Sequence, residues 1–223
     1  YYALNFLECH TNLRFIYQRD SDPENPGNDD SAAITDGILW DLSSFPAKLK
    51  ERIERLEGYL RRKQFDFIVL EARKFPSEIE KLLVDYVASG GKLVWLGGSA
   101  VEEGILATLS PFTPSPAAAG RRQTQTVEVL EPEFSILANL PVAELFGQIN
   151  GSPVHFKKGV QPLVRSLPSQ NGLLGLMRIG QGYVLACNFS PMVPCRHAFA
   201  EPESFNSDFL WACFWEQLGQ AWK

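Results

Sequence analysis

The chain has 223 residues, 45% of them hydrophobic and 21% charged, with a formal net charge of −5 and a pI near 5.3. That length and balance suit one soluble globular domain with a sizeable core. The acidic charge argues against nucleic-acid binding, which ordinarily shows a basic face. No apolar run approaches the ~18 residues of a membrane span. The compact basic clusters, Arg61-Arg62-Lys63 and Arg121-Arg122, are expected to be solvated surface.

Residues 12–18, NLRFIYQ, form a short β-favouring run. The acidic stretch 20–31, DSDPENPGNDDS, has almost nothing to bury and is expected to be an exposed, mobile loop. Asp20, Asp22 and Glu24 have a calcium-loop spacing, but Pro23 and Pro26 break the backbone it needs and no glutamate holds the twelfth position. No metal site is expected. GILWDL, from Gly37, is a strand, followed by a helix capped at Ser43 or Ser44 with Pro46 in its first turn and Leu49, Ile53, Leu56 and Leu60 on one stripe.

FDFIVLEA, residues 65–72, is nearly continuous apolar sequence, as in a parallel strand covered on both faces. Ser77 and Glu80 have the spacing of a capping box, and Ile79, Leu82, Leu83, Tyr86 and Val87 supply the next stripe, ended by Gly90. GKLVWLGG, residues 91–98, completes a βαβαβ unit over 36–109. The second half, 110–223, differs. SPFTPSPAAAG, residues 110–120, is expected to be a loop. TQTVEVLE, VHFKKGVQPLVRS, GLLGLMRIG and GYVLACNFS are expected to be strands, with Gly180-Gln181-Gly182 as a hairpin bend. An aromatic-rich helix over 206–223 closes the chain. Its Phe209, Trp211, Phe214, Trp215 and Trp222 exceed one buried stripe, so core packing and a partner or homo-oligomer surface are both open. The expected organisation is a single domain, 1–223, with 1–35 as an N-terminal strand and acidic loop.

The stretch FDFIVLEARKFPSEIEKLLVDYVASGGKLVWLGG resembles the class I glutamine amidotransferase-like superfamily, in a divergent bacterial branch that includes sugar-enzyme-associated domains. PEFSILANLP, PLVRS, LMRIGQGYVLACNFSP and the tryptophan-rich final helix extend the resemblance over residues 36–223. It implies a three-layer, flavodoxin-like α/β sandwich with a mostly parallel central sheet. Active relatives carry a cysteine on a G-x-C-x-G elbow, a histidine two residues before a glutamate, and a glycine loop for the oxyanion. Cys9, Cys187, Cys195 and Cys213 have no such elbow, and neither His10, His155 nor His197 is followed by that glutamate. Gly97-Gly98 matches the oxyanion loop alone.

Ser99 follows those glycines, but Val101 stands where an elbow needs glycine, so Ser99 is expected to be a turn residue or a ligand contact rather than a nucleophile. Gly97, Gly98, Ser99 and Arg73, at strand ends, are the candidate ligand contacts. Cys195, His197 and Glu201, with Arg196 and Glu203 beside them, are the residual catalytic candidates, since a thiolate needs a base or positive charge nearby. The cysteine spacing shows no disulfide framework or C-x-x-C pair, which suits reduced thiols in the cytoplasm. No signal peptide is visible, and a chain opening on Tyr1 is expected to have been trimmed, processed or cut from something longer. The leading expectation is a catalytically degenerate amidotransferase-like module that binds a partner protein or small ligand without a cofactor. The alternatives are a cysteine-dependent hydrolase or amidotransferase with a non-standard site, and an accessory domain of a carbohydrate-processing enzyme.

Overall fold

The structure, a computed structural model, describes residues 38–39, 54, 57–58, 60–61, 67–70, 77–96, 103–115, 126–131, 133–146, 153–167, 169–188 and 202–222. Nine strands are described: β1 (Ile38–Leu39), β2 (Ile68–Leu70), β3 (Lys92–Leu96), β4 (Phe112–Pro114), β5 (Thr126–Val129), β6 (Val154–Phe156), β7 (Gln161–Leu167), β8 (Gly172–Ile179) and β9 (Gly182–Cys187). Helices with described bounds accompany them, α1 (Ser77–Ala88), α2 (Val142–Phe146) and α3 (Pro202–Ala221), and residues 54, 57–58 and 60–61 are also helical. A 3₁₀ turn spans Ile105–Thr108. The run 12–18, the acidic stretch 20–31, Ser43, Ser44 and Pro46 lie outside the described residues. Of the stripe from Leu49 to Leu60, Leu60 is described, in a helical segment, and is buried.

Seven strands form one sheet in the order β1-β2-β3-β9-β8-β7-β5, and β4 and β6 form a separate antiparallel ribbon. The expected βαβ half is present: β1, β2, β3 and β9 are mutually parallel. From β9 outward the pairing with β8, β7 and β5 is antiparallel. The sheet is therefore half parallel and half antiparallel, not mostly parallel as the family resemblance implied. Chain connectivity explains the difference, because strands joined by tight turns can pair only antiparallel, while parallel neighbours need a crossover. β7, β8 and β9 are joined by such turns.

The 110–120 stretch also departs from expectation. Phe112–Pro114 is strand β4, paired with β6 in the register Phe112↔Phe156. A two-stranded ribbon accepts proline because its outer edge needs no N–H. Tyr86 and Val87 close the buried face of α1 together with Ile79 and Leu83, and Gly90, at φ 106°, ends the helix with its N–H on the Val87 carbonyl. The capping box does not form. Ser77 Oγ donates to Glu78 at 3.2 Å, and the Glu80 carboxylate accepts the Ile105 N–H at 3.1 Å, across to the 3₁₀ turn. That N–H has no partner within its own short helix, which makes it a better use of the carboxylate.

The core divides by strand alternation. Leu93, Trp95, Val184 and Ala186 pack with Ile79, Leu83 and Val87 of α1 on one face. Val94, Leu96, Leu185 and Cys187 pack with Trp211, Phe214, Trp215 and Leu218 of α3 on the other, along with Leu145 and Phe146 of α2. Trp211, Phe214 and Trp215 of α3 and Trp222 just beyond it are all buried, so these aromatic residues belong to the core; the side chain of Phe209 lies outside the described residues. At its far end α3 is tied down by Lys92 Nζ, which donates to the Trp222 carbonyl, and by an edge-on contact of Trp222 with Phe67 at 5.9 Å. Lys92 opens β3 and Phe67 precedes β2, so α3 ends at the amino edge of the parallel strands and runs antiparallel to them.

Candidate functional site

In an open α/β sheet, ligands bind beyond the carboxyl ends of the strands, where neighbouring strands send their chains to opposite faces. The pair β3 and β9 meets that condition. Leu96 and Cys187, their last residues, are register partners. After β3 the chain reaches Leu106 and Leu109, which join the α1 face. After β9 it reaches α3 on the opposite face. The chain therefore leaves the sheet in two directions from neighbouring strand ends.

Around this edge the described polar side chains that are buried carry no charge. Asn188, directly after β9, is 3% exposed; its N–H donates to the Leu173 carbonyl and its Nδ2 to the Gly172 carbonyl, both at 2.9 Å. Asn188 thus ties the end of β9 to the start of β8. Ser166 of β7 is fully buried; its N–H donates to the Asn171 carbonyl at 2.9 Å, and its Oγ lies 2.7 Å from Ser169 Oγ. Gln170, at φ 59°, turns the chain between β7 and β8, with its N–H on the Ser166 carbonyl. Asn171 is 8% exposed, and its Oδ1 is buried without a hydrogen-bond donor.

Sequence reasoning did not single out Ser166, Asn171 or Asn188. SLPSQN and ACNFS look like ordinary turn chemistry, and their one signal is position, immediately beside a strand end. Every residue expected to form the site lies outside the described residues: Gly97, Gly98, Ser99, Arg73, Cys195, His197 and Glu201. In the chain, Gly97 follows Leu96 directly, and Cys195 and His197 fall between β9 and α3. Among the described residues no group of three or more His, Cys, Asp or Glu side chains is arranged to hold a metal ion. His155, on β6, shares a 2.9 Å hydrogen bond with Ser115 Oγ on the exposed ribbon.

Cys187 stands at the switch point but belongs to the α3-side core, fully buried, and burial pushes its thiol well above the ordinary range. A thiol held neutral is a poor nucleophile. The folded chain keeps this proton where the unfolded chain loses it, near about pH 8.5. Stability from the neutral thiol is thus complete below that pH and is lost as pH rises past it, by up to about 1.4 kcal/mol per pH unit. Urea unfolding at pH 8 and 10.5 is expected to show a smaller loss in Cys187→Ala than in the parent chain. Equal losses would mean that Cys187 ionises freely in the fold. Cys213, on α3, is also raised, first by burial and then by the neighbouring Glu216 carboxylate.

No family model matches this chain, and no curated protein matches it. Several solved structures do. A cytoplasmic protein from Salmonella typhimurium LT2 is similar at 16% identity and a TM-score of 0.50, over 77% of this chain and 75% of that one. An exo-beta-1,4-mannosidase from Opitutaceae bacterium strain TAV5 is similar at 13% identity and a TM-score of 0.50, over 82% of this chain but 35% of the enzyme. A ThuA-like protein from Bacteroides uniformis ATCC 8492 aligns at 15% identity with a TM-score of 0.43, over 78% of this chain and 75% of that one. At these identities the first two likenesses establish a shared α/β fold and no activity. Among the described residues, no helix is long and apolar enough to cross a membrane.

Proposed function

We propose that the chain is a single-domain, glutamine-amidotransferase-like module, layered in the flavodoxin manner, that binds a partner protein or small ligand without the family's cysteine chemistry. The observation that carries this reading is the character of the β3–β9 edge. The cysteine there, Cys187, is a neutral core residue, and the buried polar groups beside it are amides and a hydroxyl. Amides are not nucleophiles, and the Ser166 hydroxyl, hydrogen-bonded to Ser169 Oγ, has no activating base among its described partners. The missing G-x-C-x-G elbow and H-x-E pair support the same reading. Gly97, Gly98, Ser99 and Arg73 are proposed as further contacts on this edge, and a cytoplasmic location, resting on the cysteine spacing, belongs to the proposal.

The test is ammonia release from glutamine by the purified chain and by Cys195→Ala. The expected result is no turnover above background in either. Turnover in the parent chain that disappears in Cys195→Ala, with unchanged thermal stability, would replace this reading with a non-standard cysteine enzyme using Cys195, His197 and Glu201.

A second reading, an accessory domain of a carbohydrate-processing enzyme, is favoured by the mannosidase likeness, in which most of this chain matches a third of a larger enzyme. The intact mass of the native polypeptide discriminates. A mass near 25.0 kDa opposes the accessory reading, and a much larger one with glycosidase activity supports it.

A further inference from the structure

We infer that the site beside β9 takes an uncharged ligand, and that a hydroxyl or amide N–H of that ligand is received by Asn171 Oδ1; this rests on the binding-module reading above. The oxygen is an acceptor held out of water with no donor, an arrangement that is disfavoured unless something completes it. The neighbouring donors are committed elsewhere: Asn188 Nδ2 to the Gly172 carbonyl, the Ser166 N–H to the Asn171 carbonyl, and the Gln170 N–H to the Ser166 carbonyl. Turn chemistry does not account for an asparagine at this position. The left-handed residue of the turn, where asparagine is ordinarily favoured, is Gln170.

The class of ligand follows from charge. Every buried polar side chain among the described residues is neutral, and those at this edge are Ser166, Asn171 and Asn188. An anion or cation lodged beside these three would lose its hydration without gaining a counter-charge from them. A polyol or a carboxamide loses far less and supplies the missing donor.

The experiment is a titration of the ¹⁵N-labelled chain with mannose, glycerol and acetamide, and with mannose 6-phosphate as the charged counterpart. The side-chain amide signal of Asn171 is identified by its loss in Asn171→Leu. A saturable shift of that signal with at least one neutral probe is expected, with none from the phosphate ester at the same concentration. Asn171→Leu and Asn171→Ala are expected to weaken that probe's binding at least tenfold while keeping a native-like spectrum. Three results would each overturn the inference: no neutral probe saturates the signal, the phosphate ester binds as well as mannose, or a folded Asn171 variant binds like the parent. A failure here leaves the non-catalytic reading standing, since that reading falls only to Cys195-dependent glutamine turnover.

Discussion

Gly182→Ala is expected to cost the fold about 3–5 kcal/mol. A Cβ at this position would lie 2.1 Å from the Val87 carbonyl oxygen and 2.2 Å from that of Gly91. Both are backbone atoms at the end of α1, so no side-chain rotation relieves the overlap. Either the end of the helix or the start of β9 must move. Neither is free to do so. The Gln181 N–H donates to the Ala88 carbonyl at 3.0 Å and the Tyr183 N–H to the Gly91 carbonyl at 3.2 Å, clamping both sides of Gly182 against the helix. Two residues earlier, Gly180 turns with φ 58° and its own Cβ would meet the Ala88 oxygen.

Overpacking in a core commonly costs 1–3 kcal/mol, and a clash between fixed backbones belongs at or above that range, about 3–5 kcal/mol. Against a total stability of about 5–15 kcal/mol, this removes a large fraction of the margin and lowers the urea midpoint accordingly. Urea unfolding measures it, with Gly58→Ala as the control. Gly58 is helical with nothing within 4 Å of a Cβ, so alanine there should add about 0.5–1 kcal/mol. A Gly182→Ala chain within about 1 kcal/mol of the parent would mean that the β8–β9 turn does not rest on α1.

The same contact shows what a linear sequence conveys and what it withholds. The turn at Gly180-Gln181-Gly182, the end of α1 at Gly90 and the stripe from Ile79 to Val87 were legible because each depends on residues within one or two turns of chain. The strands of the second half were legible as strands for the same reason. Their direction was not, because β9 pairs with β3 across the whole intervening segment, and nothing in GYVLACNFS marks which strand it joins. β4 was missed because its pairing is likewise distant, and FTP in a proline-rich stretch has no alternation to show.

The candidate site suffers from the same limit. A switch point exists only once β3 and β9 are neighbours and their continuations are known to diverge. Before that, Asn188 is a polar residue after a strand and Asn171 a polar residue in a turn. Sequence reasoning searched for reactive groups, and so settled on Cys195, His197 and Glu201. It passed over neutral amides, whose significance comes from burial rather than from identity.

Phe214→Ala carries the second large effect, and it decides what the aromatic helix is for. Phe214 is fully buried, with its ring edge-on to Trp211 at 5.4 Å and to Trp215 at 5.6 Å. Trp211 in turn meets Phe146 of α2 at 5.6 Å. Removing the central ring deletes burial and aromatic contact together and leaves a cavity between two rigid indole rings that collapse poorly. Phe-to-Ala changes of this kind cost about 3–5 kcal/mol. Phe214→Leu, which refills most of the volume, should cost less than about 1.5 kcal/mol, while truncating the exposed Glu216 should stay within about 0.5 kcal/mol. Urea midpoints of the three variants give the ordering directly. The opposite pattern, in which Phe214→Ala unfolds like the parent but changes the chain's oligomeric state, would move this ring from the core to a partner surface. The expected result holds α3 against the sheet as a fixed wall. The ligand recognition proposed for the β3–β9 edge then rests on strand ends and the segments between them, which is where Asn188 and Asn171 stand.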